Sequence, residues 1–463
     1  MPDPFENYQS PFSWRYASSE MRSLWSEKNK RLLWRKIWVA LAQVESELGL
    51  FSADLVNELT SHAEEIDMVK ALDIEAKIHH DLMAELKTFA AQCPTAGGVL
   101  HLGATSMDIE DNADAMRLQS ALDIILAKLR ELLLVFADLI ENTADLPSMA
   151  FTHLQPAEPT TLGYRMAFHA QDLWEDFVSL SQVREGIRGK GFKGAVGTGA
   201  AFGDLMGEEK LEAFETRMSE LLGINFYPIT HQTYPRKQDW VILNALAGFG
   251  ATLYKFAFDL RFLQSPPIGE LSEPFGKQQV GSSAMPFKRN PINSEKIDSL
   301  ARQLSAYPQI AWQNSANSLL ERTLDDSANR RTILPESFLI ADELLMVTTT
   351  IVRNIQINRK AIQRNLMQYA PFAITERIMM LAGKKGADRQ TLHELLRNAA
   401  LNAWQDIREG KANRLMENLM QDQDLLKWIT ADEIKQISDI ESYTGFANQR
   451  AKDLVQKIRS KLN

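Results

Sequence analysis

The sequence predicts an all-α protein in three helical parts, built around a central bundle of five long helices. Three observations predict it. Apolar residues recur at helical spacing over long stretches, strand signals are few and short, and 463 residues of 52.4 kDa amount to roughly three domains. Between Asn112 and Glu141 the apolar positions are Leu118, Leu122, Ile125, Leu129, Leu132, Phe136 and Leu139. Their gaps alternate four and three, the seam of a long helix in a bundle, about 45 Å long at ~1.5 Å per residue. Thr160 to Val183 repeats the pattern with Leu162, Met166, Leu173, Phe177 and Leu180. Lys237 to Gln264, Pro291 to Leu320 and Pro335 to Ile357 read as the other three. Pro291 and Pro335 suit a first helical turn, Asn290 suits an N-cap, and Pro308 is expected to kink or break its helix. Phe226 to Thr230 is the best strand candidate. The expected parts are residues 1–108, 109–358 and 359–463.

Composition narrows the function. Hydrophobic residues are 45% and charged residues 24%, as in a soluble globular protein able to bury a large core. A single cysteine, Cys93, permits no intrachain disulfide and no cysteine-rich zinc site, which fits a reducing cytoplasm. The first residues lack the pattern of a signal peptide. The longest nearly uncharged apolar run, Trp240 to Tyr254, is too short to span a bilayer and reads as a core helix. A net charge of −9 argues against a general nucleic-acid binder.

Several motifs compete for attention. Gly186 to Gly199 is glycine-rich, but Gly189-Lys190 is followed by Gly191 rather than Ser or Thr, and no strand precedes it. A mobile loop between bundle helices is the better reading. Asp325, Asp326 and Asn329 match one magnesium motif of terpenoid synthases, but Asn293, Ser294 and Glu295 are contiguous and cannot share a helix face as the partner motif requires. No metal is expected, since no HExxH or similar spacing occurs. His62, His169 and His393 sit in ordinary helical patterns and read as structural. The informative segment is Gly281 to Glu295, GSSAMPFKRNPINSE, where hydroxyls, cations, an amide and a helix start converge as they would to hold a carboxylate. Three further motifs carry histidines: His80-Asp81, Leu100 to Ser106 (LHLGATS), and Phe151 to Ala157 (FTHLQPA). Glu321 to Arg331, ERTLDDSANRR, supplies three arginines suited to phosphate or carboxylate.

GSSAMPFKRNP resembles the signature loop of the fumarase/aspartase superfamily, whose members release fumarate from a substituted succinate. With SPFSWRYAS, THLQPAEPTT, QTYPRKxD and ERTLDDSANRR in order, the chain resembles the adenylosuccinate lyase family, its animal-type branch more than the short bacterial one. The resemblance implies elimination of fumarate from adenylosuccinate and from its imidazole-carboxamide counterpart, without cofactor. It also implies a homotetramer whose active sites each draw on three subunits.

Elimination needs a base for the proton next to a carboxylate, stabilisation of the resulting dianion, and an acid for the leaving nitrogen. By the resemblance, Ser282 is the base, with Ser283 left open, and activation is expected from the helix start after Asn290 and from Lys288. His153 matches the acid, with Glu295 as its orienting partner. His80 matches a second active-site histidine near the phosphate. Lys288 and Asn290 match holders of the succinyl carboxylate. Arg15 and Tyr16 match a pair at the nucleotide. Thr105, Ser106 and Gln232 match groups at a succinyl carboxylate. Arg322, Ser327 and Arg331 match nucleotide binders. His79, Asp81 and Lys296 complete the expected substrate contacts. Two positions depart from the family pattern: His79 stands where an arginine is usual before His-Asp, and Lys296 where an arginine usually follows Ser-Glu. Nucleotide affinity is expected to become more sensitive to pH near neutrality through His79. Argininosuccinate lyase and fumarase are the nearest alternatives, and a non-catalytic relative of the fold is a third. ERTLDDSANRR and the RYAS segment favour the purine enzyme.

Overall fold

The computed structural model describes residues 6–276 and 278–462. The class is all-α as expected. The chain opens with α1 (Ser19–Leu24), α2 (Glu27–Glu47), α3 (Ala53–His62), α4 (Met68–Ile78) and α5 (Asp81–Gln92). The long helices are α6 (Ser106–Thr143) and α7 (Leu162–Gly186), then, after the short α8 (Ala200–Met206) and α9 (Leu211–Leu222), α10 (Lys237–Gln264), α11 (Ile292–Ala316) and α12 (Ser327–Arg353). Last come α13 (Arg359–Lys384), α14 (Arg389–Arg408), α15 (Leu415–Leu419), α16 (Ala431–Ile437) and α17 (Ala447–Leu462). Starts follow side-chain chemistry: Ser18, Ser26, Ser52, Asp67, Asn358 and Asp388 each accept a first-turn N–H, and Thr430 with Glu433 forms a reciprocal capping box.

The residues group into two compact units. One holds 1–129, 176–251 and 299–346; the other holds 130–175, 252–298 and 347–463. Residues of all five long helices fall in both. In the first unit the α6 seam is buried at Leu118, Leu122, Ile125 and Leu129. In the second, Leu132 and Phe136 are buried, and a separate cluster of Ile374, Ile378, Leu392, Leu396, Leu415 and Ile434 closes the C-terminal helices. The apolar α10 buries Leu243, Leu246, Phe249, Leu253 and Phe256 within the protein.

Several expectations fail for physical reasons. Pro308 does not break α11, because it deletes one backbone bond in a helix whose Ala301, Leu304 and Ala311 are buried around it. Pro335 lies inside α12, which starts earlier at Ser327. Asn290 caps nothing: its side chain donates to the Gly281 carbonyl (3.0 Å), and α11 starts at Ile292. The Phe226–Thr230 strand is absent; only Phe226 bridges, to Gly189. The hairpin lies elsewhere, β1 (Pro147–Thr152) against β2 (Gln155–Thr161), followed by a two-residue pair, β3 (Leu271–Ser272) with β4 (Gln356–Ile357). The glycine-rich loop is firmly held, not loose. Lys190 is fully buried in an ion pair with Asp108, and Asn112 accepts from Gly191 N (3.0 Å) while donating to its carbonyl (3.1 Å).

Candidate active site

The expected site residues fall into two groups, one in each unit. In the first unit, α4 ends at His79, which takes a left-handed conformation (φ 55°) and turns the chain into α5. His80 is the N-cap of α5, its Nδ1 accepting from Met83 N at 3.5 Å. Its Nε2 lies 3.4 Å from the Ser106 hydroxyl, which brings the two motifs together. Asp81 accepts from Leu82 N (2.9 Å) and from the Arg331 guanidinium (2.9 Å). Burial alone would push the Asp81 carboxyl up, but Arg331 and the charge of Lys30 hold it below its ordinary value. Asp81 thus fixes Arg331 at the start of α12, beside Ser327.

Thr105 and Ser106 enter α6 under tight control. Asp108 accepts from Thr105 N (2.8 Å) and, with the same carboxylate, from Lys193 N, Gly194 N and Lys190 Nζ. The glycine-rich loop is therefore the scaffold of the Thr105–Ser106 turn. His101, in the same motif, is structural: its Nδ1 accepts from Trp38 Nε1 (3.1 Å), and burial pushes its pKa down.

The ERTLDDSANRR arginines divide their work. Arg330 is buried, donating to Asp239 (2.7 Å) and to the Tyr234 hydroxyl (2.7 Å) and pairing with Asp114 (3.1 Å). Its guanidinium is engaged by internal partners although it also lines the cleft described below, which sets it apart from the reading of all three arginines as ligand groups. Asp326 is held by Arg236 (2.5 Å) and Arg322 (2.8 Å), so it is committed to guanidinium rather than to a cation. Arg331 is exposed, and Ser327 is half-buried next to a polar cleft of about 100 Å³ that Lys30, Trp34, Asp81, Glu110 and Arg331 also line. There burial, then the charges of Asp81, Asp114 and Asp111, push the Glu110 carboxyl up to about 8. Nothing in the sequence singled out Glu110; its place one turn along α6 from Ser106 is the signal that was available. Arg15 is exposed and Tyr16 half-buried, in a segment tied down by Ala17 N to Glu343 (2.8 Å) and Ser18 N to Asp342 (2.6 Å). Gln232 is held through its backbone, N to Glu321 O at 3.2 Å.

In the second unit, His153 and Leu154 form the two-residue tip of the β1–β2 hairpin. Both have positive φ (52° and 59°), the turn that suits strand twist but costs a non-glycine residue roughly 1–2 kcal/mol. The tip holds the His153 imidazole exposed, with no hydrogen bond among the described residues. Glu295, also exposed, lies 3.9 Å from Arg261, and the chain by itself does not pair it with His153.

Ser282 lies on the loop between β3 and α11. Its Oγ accepts from Met285 N (3.0 Å) and Ala284 N (3.4 Å), a local turn that aims two backbone N–H groups at the hydroxyl oxygen. Ser283 is exposed and accepts no such bond. The loop folds back on itself through Lys288 N to Met285 O (3.0 Å) and Asn290 Nδ2 to Gly281 O (3.0 Å). A side chain at Gly281 would sit 2.0 Å from the Lys288 carbonyl, which explains the glycine. The α11 N-terminus, expected to activate Ser282, is already occupied. The Glu273 carboxylate accepts there from Asn293 N (3.2 Å), Ser294 N (3.0 Å) and Ser294 Oγ (3.1 Å). Lys288 is exposed at the surface of the loop, and Lys296 is the fifth residue of α11. The groups that face the Ser282 oxygen are therefore two local N–H groups and not the helix start.

Comparison with known proteins agrees with the loop. A lyase family model matches residues 10–305, and a model described as the adenylosuccinate lyase C-terminus matches residues 371–456. Adenylosuccinate lyase of Saccharomyces cerevisiae is 40% identical over 99% of this chain and 95% of its own length. That of Schistosoma mansoni is 41% identical, covering 91% and 88%, and that of Pyrococcus abyssi 34%, covering 97% of both. The fold alone is shared with a fumarate lyase from Mesorhizobium (TM-score 0.84, 22% identity, 97% and 99% covered). It is shared too with the 3-carboxy-cis,cis-muconate lactonizing enzyme of Pseudomonas putida (TM-score 0.86, 23% identity, 98% and 100% covered). Matched by family models at both ends and by full-length relatives across eukaryotes and archaea, the chain belongs to the adenylosuccinate lyase family.

Proposed function

We propose that the chain is a carbon–nitrogen lyase that eliminates fumarate from adenylosuccinate, leaving AMP, and from the succinyl imidazole-carboxamide nucleotide, leaving its carboxamide. The observation that carries this reading is the Ser282 turn on the signature loop. An alkoxide at Oγ would gain charge-assisted bonds from Ala284 N and Met285 N, which lowers the cost of forming a serine base. Ser282 takes the proton from the carbon next to a carboxylate, the C–N electron pair leaves onto the base nitrogen, and His153 protonates that nitrogen. Lys288 and Asn290 stand on the same loop to hold the carboxylate while charge develops on it. Thr105 and Ser106 meet a carboxylate of the succinyl group with Gln232. Arg15, Tyr16, His79, His80, Arg322, Ser327 and Arg331 face the nucleotide. Asp81 orients Arg331, and Lys296 adds a cation near the loop.

The working form is a homotetramer in which three subunits complete each site, with Glu295 of one chain orienting the His153 of another. Support comes from the long helices, which leave large apolar side chains uncovered: Phe168 on α7, Phe258 on α10 and Trp312 on α11 are each about half exposed. Small purine nucleotides are its ligands, and a cytoplasmic location fits the lone buried thiol.

The test is the ultraviolet change on mixing protein with adenylosuccinate in EDTA. Turnover that survives the chelator, is abolished by Ser282→Ala and by His153→Ala, and persists in Ser283→Ala supports the assignment. No turnover from an intact oligomer, with argininosuccinate consumed instead, would refute it.

A further inference from the structure

The signature loop must do more than carry Ser282; it must hold Oγ at one place over the substrate. We infer that Gln264, the last residue of α10, is a positioning residue for Ser282, because its single amide ties the two stems of the loop together. This rests on the reading of Ser282 as the base.

The geometry is specific to a carboxamide. Gln264 Oε1 accepts from Glu273 N (3.0 Å), where the chain enters the loop. Gln264 Nε2 donates to the Arg289 carbonyl (3.1 Å), where the chain leaves it. One side chain therefore clamps both stems, with its acceptor on one and its donor on the other. The Arg289 guanidinium over the Phe275 ring (5.3 Å) repeats the tie across the same stems. From the clamp to the reactive oxygen the path is short. Arg289 is bonded to Gln264, its neighbour Asn290 is bonded to Gly281, and Gly281 precedes Ser282. On the entering side, Glu273 spends its backbone N–H on Gln264 and its carboxylate on the first turn of α11. The end of α10 and the start of α11 are thus joined under the loop through Glu273.

Neither family motif nor periodicity marks Gln264, which reads as the last polar residue of a helix. Its role follows from what the loop lacks. The described part of the loop has no regular secondary structure, so its shape depends on these few polar ties. Proton abstraction is steep in distance, and a displacement of about 1 Å costs on the order of 100-fold in rate. Loss of the clamp therefore acts on the chemical step more than on nucleotide binding, whose expected groups lie on other segments.

The experiment uses the full-length protein with two Gln264 variants, each checked for melting temperature and oligomer size. Gln264→Met keeps the length and removes both bonds. Gln264→Glu keeps the acceptor and sets a carboxylate against the Arg289 carbonyl. The expected result is a fall in kcat of roughly 10- to 100-fold for both, with KM changed by no more than about threefold. A second readout does not depend on turnover. In Ser282→Cys the thiol replaces the hydroxyl, and its alkylation rate against pH reports how well the Ala284 and Met285 N–H groups support the thiolate. Cys93 does not interfere, since it is buried and burial, then Glu58, push its pKa up to about 11. Adding Gln264→Met to Ser282→Cys should move the alkylation midpoint toward that of an ordinary thiol. Parental kcat in Gln264→Met together with an unshifted alkylation profile overturns the inference. Turnover in Ser282→Ala overturns the base assignment instead, and the alkylation comparison still decides whether Gln264 positions residue 282.

Discussion

Glu45 on α2 offers the sharpest quantitative prediction. Its side chain is fully buried, and neither carboxylate oxygen has a hydrogen-bond partner among the described residues. Burial pushes its pKa from the ordinary 4.5 up to about 8, with no neighbouring cation to oppose the shift. Between pH 4.5 and 8 the folded chain keeps a proton that the unfolded chain has lost. Stability therefore falls as pH rises across that window, and is flat on this account below and above it. At pH 7 the gap from the ordinary value is about 2.5 pH units, or about 3 kcal/mol at 1.36 kcal/mol per unit. Glu45→Gln removes the titration and leaves the shape almost unchanged. The variant should match the parent near pH 4.5 and exceed it by up to about 3 kcal/mol at pH 7. Urea unfolding at pH 5 and pH 8, at one protein concentration, reads this as a midpoint difference that opens with pH while the slope stays constant. Equal differences at the two pH values, or a variant less stable at pH 8, would refute the reasoning.

Lys190→Met strands the buried Asp108 carboxylate, and losing one partner of such a pair costs about 3–5 kcal/mol; thermal unfolding checks the loss. Because Asp108 also holds Thr105 N, surviving protein should show a raised KM in steady-state assays. Mixing inactive Ser282→Ala with inactive His153→Ala, then allowing subunits to exchange, should restore part of the activity; its complete absence after proven exchange contradicts shared sites.

What the sequence displayed depended on whether the signal was periodic or three-dimensional. The α6 seam was legible because every gap of three or four returns a side chain to one face, and Leu118, Leu122, Ile125, Leu129, Leu132 and Phe136 of the seam are buried. The hairpin was not, because its turn is His153-Leu154 instead of an Asn-Gly pair, and Pro156 and Pro159 dilute its strand composition. Pro335 misled as a helix start, and Pro308 does not break its helix, since packing along a long helix outweighs one missing backbone bond. At the site, residue identities were legible as motifs, whereas allegiances were not. Arg322, Arg330 and Arg331 look alike in sequence, yet only the fold commits Arg330 to Asp239 and Asp114 and leaves Arg331 on the surface. Likewise the grip of Asp108 on residues 190–194 pairs segments more than eighty positions apart.

On the proposed mechanism, the occupied N-terminus of α11 changes where negative charge would be met during elimination. Had that helix start been open, one positive pole would have served both the serine alkoxide and the substrate carboxylate. Glu273 fills it from within the chain, so the pole is spent on architecture, and the loop must stabilise charge by itself. It does so at two separated points. The Ala284 and Met285 N–H groups face Oγ, while Lys288 is exposed at the surface, and on the proposed mechanism it is the cation that would meet the growing charge on substrate. The division has a mechanistic consequence. On the proposed mechanism, once Oγ takes the proton the oxygen becomes neutral and the charge has moved to the substrate, where Lys288 would meet it. Groups that stabilise the base before the step thus differ from those that stabilise the dianion after it, so each can favour its own state without opposing the other.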